Sequence, residues 1–243
     1  MKAIVKKEFH SFFASPAGYL IIGVFLLVNG LFLWVFATPY NIFDAGFADL
    51  SAFFSLAPWI FIFLIPAMTM KSFSEEKKTG TLELLFTKPL SIRQIISGKF
   101  MGAFLLGVMT LLPTVLYAVT ITQLSIDTTG TDPGSMMASY MGLLFLMGAY
   151  AAIGIFASAI SRHQIVAFMI AVFICFSVYY GFEGLATLSV FHTLDFSVAQ
   201  LGMKAHFNSI SRGVIDTRDV IYFITVTLFF LFLTHTYFKY ENR

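Results

Sequence analysis

Charge is scarce in this 243-residue chain: 15 Lys and Arg against 13 Asp and Glu, or 12% of all residues. A soluble domain carries roughly 25% to cover its surface. The shortage excludes an ordinary soluble enzyme and a disordered chain, and the near balance of +2 offers nothing to a nucleic acid. Cysteine is nearly absent as well. Cys175 stands alone, so neither a disulfide framework nor a cysteine-based zinc site can be built. Apolar bulk fills the chain instead: 58% of residues are hydrophobic, and 30 are Phe. That is the composition of a polytopic membrane protein.

Crossing a ~30 Å hydrocarbon core takes about 20 apolar residues in a helix. Charge-free stretches of this kind fall at 17–37 and 50–70, within 100–126 and 133–161, and at 164–182 and 220–238. With loop ends trimmed they predict an all-α fold of six transmembrane helices, at about 17–37, 50–70, 100–122, 138–160, 164–183 and 220–238. Helices are required, because hydrocarbon offers no partner to an open backbone. Lys and Arg set the orientation. Twelve of the 15 lie in segments on the N-terminal side; Lys204, Arg212 and Arg218 lie on the other, with all seven aspartates. Both termini are therefore expected in the cytoplasm.

The connecting segments carry further patterns. In residues 1–16, Val5, Phe9, Phe12 and Phe13 share one helical face, with Lys7, His10 and Ser11 opposite. An N-terminal amphipathic helix in the inner interface is expected, its lysines toward anionic lipid headgroups. A frayed basic tail fits the same charges. The outer segment 184–219 is too long for a bare loop, so short helices are expected there before the last span. Leu185, Leu188, Val190, Phe191, Leu194 and Phe196 would let part of it re-enter the membrane beneath other helices. His192, Asp195 and His206 lack tight ligand spacing, and no metal site is expected.

The cytoplasmic loop 71–99 is the informative one. Ser72 with Glu75 has the spacing of a capping box, which would carry a helical extension through Lys78. Gly80 permits a left-handed turn. Leu82, Leu85 and Phe86 then share a face of a short helix that starts at Thr81 and stops before Pro89. Ser91 with Gln94 reads as a second capping box leading into the third span. An exposed apolar face rimmed by Glu75, Glu76, Glu83, Lys77 and Lys88 is composed as a docking surface.

The run Glu75-Glu76-Lys77-Lys78-Thr79-Gly80-Thr81-Leu82-Glu83-Leu84-Leu85, followed by Pro89-Leu90-Ser91 and Gly98-Lys99, resembles the signature of ABC-2 type transporter permeases. The block from His206 to Asp216 is similar to a second one, and the likeness spans 17–243 as one permease domain. Within the family the chain is most similar to permease subunits of gliding-motility-associated ABC transporters. The resemblance implies a multi-pass subunit of the bacterial inner membrane that pairs with a second permease copy or a companion membrane subunit bearing a large extracytoplasmic domain. It implies a separate ATP-binding subunit holding ATP and Mg, with no cofactor in this chain, and a coupling helix around Gly80–Glu83 seated in that partner. ATP-driven export would follow; a non-transporting anchor that passes ATPase movements to a larger envelope machine is the alternative. No phosphate loop of the form Gly-x-x-x-x-Gly-Lys-Ser/Thr occurs, so ATP hydrolysis is not expected here.

Within the spans, two polar residues stand out. Glu183, at the outer end of the fifth, suits an outer gate or simply reaches the interface. Asn29 suits a substrate path or a bond between helices. No catalytic constellation is present.

Overall fold

A computed structural model describes residues 2–44, 49–87, 89–124, 132–187 and 195–241. These residues form helices and connections, with no strand among them. In chain order the helices are α1 (Lys2–Ala14), α2 (Pro16–Trp34), α3 (Ser51–Thr69), α4 (Lys71–Lys78), α5 (Thr81–Phe86), α6 (Ile92–Leu111), α7 (Val115–Leu124), α8 (Pro133–Ile160), α9 (Gln164–Phe176), α10 (Phe182–Ala186), α11 (Asp195–Ala199), α12 (Met203–Ser211) and α13 (Thr217–Glu241).

Five continuous helical runs are long and apolar enough to cross a membrane: Ser51–Lys78, Ile92–Gln123, Pro133–Ile160, Gln164–Ala186 and Thr217–Glu241. A sixth arises if α1 and α2, bent by 71° at their junction, are read as one broken span. Pro16 opens α2 at a position where its missing N–H costs nothing. The runs differ from charge-free stretches because helices continue past the hydrocarbon. Two spans also carry breaks that hydropathy did not reveal. Pro113 turns Leu112–Thr114 into a 3₁₀ step between α6 and α7. Ser177–Gly181 forms a π-helical turn between α9 and α10.

α8 is the central post, packed by α3, α4, α6, α9, α12 and α13. Its sequence explains why. Gly142, Gly148, Ala149, Ala151, Ala152, Gly154, Ala157 and Ser158 give it a slim profile that neighbouring backbones can approach. Tyr150 sits fully buried at its middle. At one end of the bundle gather α1, α4, α5, the start of α6 and the end of α13, joined by a satellite core of Ile4, Phe73, Leu82, Ile95, Ile96 and Phe238. Both described ends of the chain are there. The opposite end is closed by α12, whose Met203, Phe207 and Ile210 pack into the main core.

Short helices do stand in the outer segment, as α11 and α12. Leu185 is exposed there; Leu188, Val190, Phe191, His192 and Leu194 lie outside the described residues, and Asp195 and Phe196 open α11. His206 Nε2–H donates to the Gln200 carbonyl (2.8 Å), Nδ1 lies 2.7 Å from Asp219 Oδ1, and the ring stacks on Tyr222. It staples α12 to α13.

The closest approach in the bundle predicts a stability effect. A Cβ at Gly154 would run into the Thr69 side chain of α3, whereas one at Gly23 meets nothing within 4 Å. Gly154→Val should cost about 1–3 kcal/mol by overpacking, read as a lower unfolding midpoint in detergent. Gly23→Val should shift it by far less.

Candidate functional site

The 71–99 segment folds as helix, turn, short helix, turn, helix. α4 follows α3 with Met70 still in helical geometry. The expected Ser72–Glu75 capping box is not formed, because no new helix start exists for Ser72 to cap. The junction is secured from outside instead. Ser158 of α8 accepts from the N–H groups of Phe73 (2.9 Å) and Ser74 (3.1 Å) and donates to the Met70 carbonyl (2.9 Å). Gly80 has φ +72°, so the chain reverses through a left-handed residue that a side chain would strain. The second capping box is complete: Gln94 N–H donates to Ser91 Oγ, and Ser91 N–H donates to Gln94 Oε1.

α5 presents one apolar face as its spacing requires, but that face turns inward. Leu82 is buried, and Leu85 and Phe86 lie against the satellite core, Phe86 with its ring 5.6 Å from that of Phe238. The outward face carries Thr81, Glu83, Leu84 and Thr87, with Leu84 65% exposed. The expectation of an exposed Leu82–Leu85–Phe86 surface is thus corrected. A six-residue helix has too little structure to stand alone, and its own apolar face is what holds it down.

Glu76 needs a second correction. Rather than rimming a docking surface, its carboxylate points inside, where Oε1 meets Lys99 Nζ at 3.0 Å and Lys7 Nζ at 2.9 Å. Lys99, on α6, has a side chain 1% exposed. Its ammonium also donates to Glu8 Oε1 (2.8 Å) and to the Ser72 carbonyl, and lies 4.9 Å from the centre of the Phe73 ring. Two ammoniums and two carboxylates from α1, α4 and α6 thereby balance, with Lys99 buried at the centre and Lys7 at the exposed edge. Partial burial alone would depress the Lys7 pKa, but the hydrogen bond and charge of Glu76, with Glu8 and Glu75 beyond, lift it above its usual value. The next residue, Lys77, points the other way and binds Glu241 (3.0 Å) and the Tyr237 hydroxyl (3.1 Å) of α13. Glu75 stays exposed. Gly98 and Gly102 let α1 lie close on α6, beneath Ile4 and Glu8, so that contact is made within one chain. The partly buried Val5, Phe9, Phe12 and Phe13 face this same bundle, with Lys6, Lys7 and His10 outward.

The two polar residues of the spans are placed differently. Asn29 is fully buried and donates Nδ2–H to the Phe25 carbonyl of its own helix at 2.7 Å; it lines none of the described cavities. Glu183 is half exposed and forms an ion pair with Lys204 of α12 at 2.6 Å. Beside that pair opens a cavity of about 750 Å³ at the end opposite the termini. No hydropathy pattern marks this cavity, since its walls come from five separate segments. The pairing of Lys99 is equally invisible in the sequence, because its partner Glu8 lies 91 positions away.

Buried and exposed members of the network should respond unequally. Lys99→Ala leaves buried carboxylates uncompensated and should cost about 3 kcal/mol or more. Lys7 has a side chain 62% exposed, so Lys7→Ala should cost at most about 1 kcal/mol. Thermal unfolding in one detergent compares the two directly.

The model of a family described as ABC-2 family transporter protein matches residues 2–241. No curated protein matches the chain. With nearly its whole length matched, the chain belongs to the ABC-2 transporter family and is a multi-pass permease component of an ABC transporter, not itself catalytic.

Proposed function

We propose that this permease carries its ATP-binding partner on α5, and that ATP and Mg are bound and hydrolysed in that partner. The observation that carries this reading is the mounting of α5. One face is fixed by Leu82, Leu85 and Phe86, while Glu83 and Leu84 project freely beside the left-handed turn at Gly80. A charged residue next to an exposed leucine suits a cleft with an apolar floor and a basic rim. The basic end of the bundle then faces the cytoplasm of a bacterial inner membrane, with both termini there. α1 lies along the inner surface, its exposed Lys2, Lys6 and Lys7 near anionic lipid.

The complete transporter holds two permease subunits, either two copies of this chain or one with a companion membrane subunit. Its role is ATP-driven export, and the resemblance of the loop signature to gliding-motility-associated permeases favours that setting. Movement of the partner on nucleotide binding would pass through α5 to α4, and from α4 to α6, α8 and α13, since Glu76 ties α4 to α6, Lys77 ties it to α13, and the Phe73 N–H ties it to Ser158 of α8.

The two faces of α5 make the test. Leu84→Ala and Glu83→Lys should each leave the permease folded while weakening capture of its co-expressed ATP-binding subunit. A well-placed apolar anchor is worth about 2 kcal/mol, roughly thirtyfold in affinity. The effect of Glu83→Lys should depend strongly on salt. Phe86→Ala should instead lower the unfolding midpoint of the permease by itself. Wild-type recovery of the ATP-binding subunit with a Glu83→Lys, Leu84→Ala double variant would show that α5 is only a connector.

A further inference from the structure

The cavity opposite the termini is lined by chemistry that the docking end does not use. α3 contributes Ser51, Ser55 and Trp59 at intervals of four, so they form one stripe. Asp132 stands at the start of α8 and Asn208 on α12. Tyr179 and Tyr180 come from the π-helical turn, and both line the cavity. Tyr40 and Asp49 line both this space and an adjoining one of about 210 Å³. A volume of about 750 Å³ suits a small-molecule site.

Charge decides what kind of molecule fits. Lys204 is the cation on the wall, and Glu183 already neutralises it. Asp49 and Asp132 each spend one oxygen on a helix start, accepting from Ser51 N–H and Gly134 N–H at 2.9 Å. Neither has an ion-pair partner among the described residues. The lining therefore carries two exposed carboxylates with no ion-pair partner among the described residues, together with an aromatic pair, Trp59 and Tyr180, whose ring centres lie 5.0 Å apart. One ammonium is already held by this chemistry: Lys204 Nζ lies 5.1 Å from the centre of the Tyr180 ring while paired to Glu183. Carboxylates beside aromatic faces are what a second ammonium requires.

We infer that this cavity is a binding site for a small organic cation of the amine class, seated between Asp49, Asp132 and the Trp59–Tyr180 wall. The inference stands apart from the docking surface on α5 and is tested on the permease alone. Trp34→Phe leaves Trp59 as the sole tryptophan, a reporter inside the cavity. Spermidine is the probe and maltotriose the neutral comparison, titrated into purified protein in lipid nanodiscs.

Spermidine should change Trp59 fluorescence saturably, more weakly as salt rises, and maltotriose should not. Asp49→Asn with Asp132→Asn should weaken the spermidine response at least about tenfold. Asparagine keeps the helix-capping oxygen, so the fold is preserved. Asp216 accepts from Arg218 N–H in a similar cap but lies outside the cavity lining, so Asp216→Asn should leave the response intact. A spermidine signal that stays linear, or one that the double variant retains, overturns the assignment. Saturation by maltotriose alone would make the cavity a polyol site and overturn it equally.

Discussion

A lysine ammonium removed from water has to be neutralised on the spot, and Lys99 imposes that demand on the whole basic end of the bundle. Its position on α6 is fixed by the helix, so the carboxylates must come to it. Glu76 arrives because α4 prolongs the second span rather than turning away. Glu8 arrives because α1 lies along α6 over Gly98 and Gly102. An unpaired charge in such a place costs several kcal/mol, so α1 and α4 cannot leave α6 independently. Apolar contacts alone would permit sliding. The charges fix the register.

That constraint gives α5 its footing. α5 is only six residues long, and whatever presses on its Glu83 and Leu84 presses through Leu82 and Phe86 onto Phe73 and Phe238. α4 receives the load with side chains fixed on three sides: Glu76 to α1 and α6, Lys77 to α13, and a backbone opened at Met70 and closed again by Ser158 of α8. Stiff side-chain ties and one stitched break form the kind of contiguous link through which a displacement at α5 can reach three spans. At the far end the same α8 helps to wall the cavity that holds Asp132. The central helix thus touches both ends of the molecule.

Much of this was legible in the residues. Hydropathy located the apolar cores of the spans, because hydrocarbon leaves the backbone no other solution. Gly80 announced its turn, Ser91 and Gln94 their cap, and the spacing of Leu82, Leu85 and Phe86 their common face. The sequence could not say which way that face points. Periodicity reports that residues share a side, while Phe73 and Phe238, which attract it, lie in segments far apart in the chain. Glu76 and Lys99 misled for the same reason: a charge in a loop reads as solvated until a distant partner buries it. Pro113 could have flagged the 3₁₀ step. Nothing local marks the π-turn at Ser177–Gly181, and the tyrosines it gives to the cavity lining were correspondingly unseen.

The node at Lys99 is tested most directly by hydrogen–deuterium exchange on the intact permease in nanodiscs, comparing wild type with Glu76→Ala. If the buried charges hold α1, α4 and the start of α6 as one unit, amides in all three helices should exchange faster together, with α5 following because it rests on α4. Amides of α12, which packs on α8 and α13 at the opposite end of the bundle, should be unchanged. Faster exchange confined to α4, with α1 and α6 as protected as in wild type, would contradict the claim that these charges bind the three helices together.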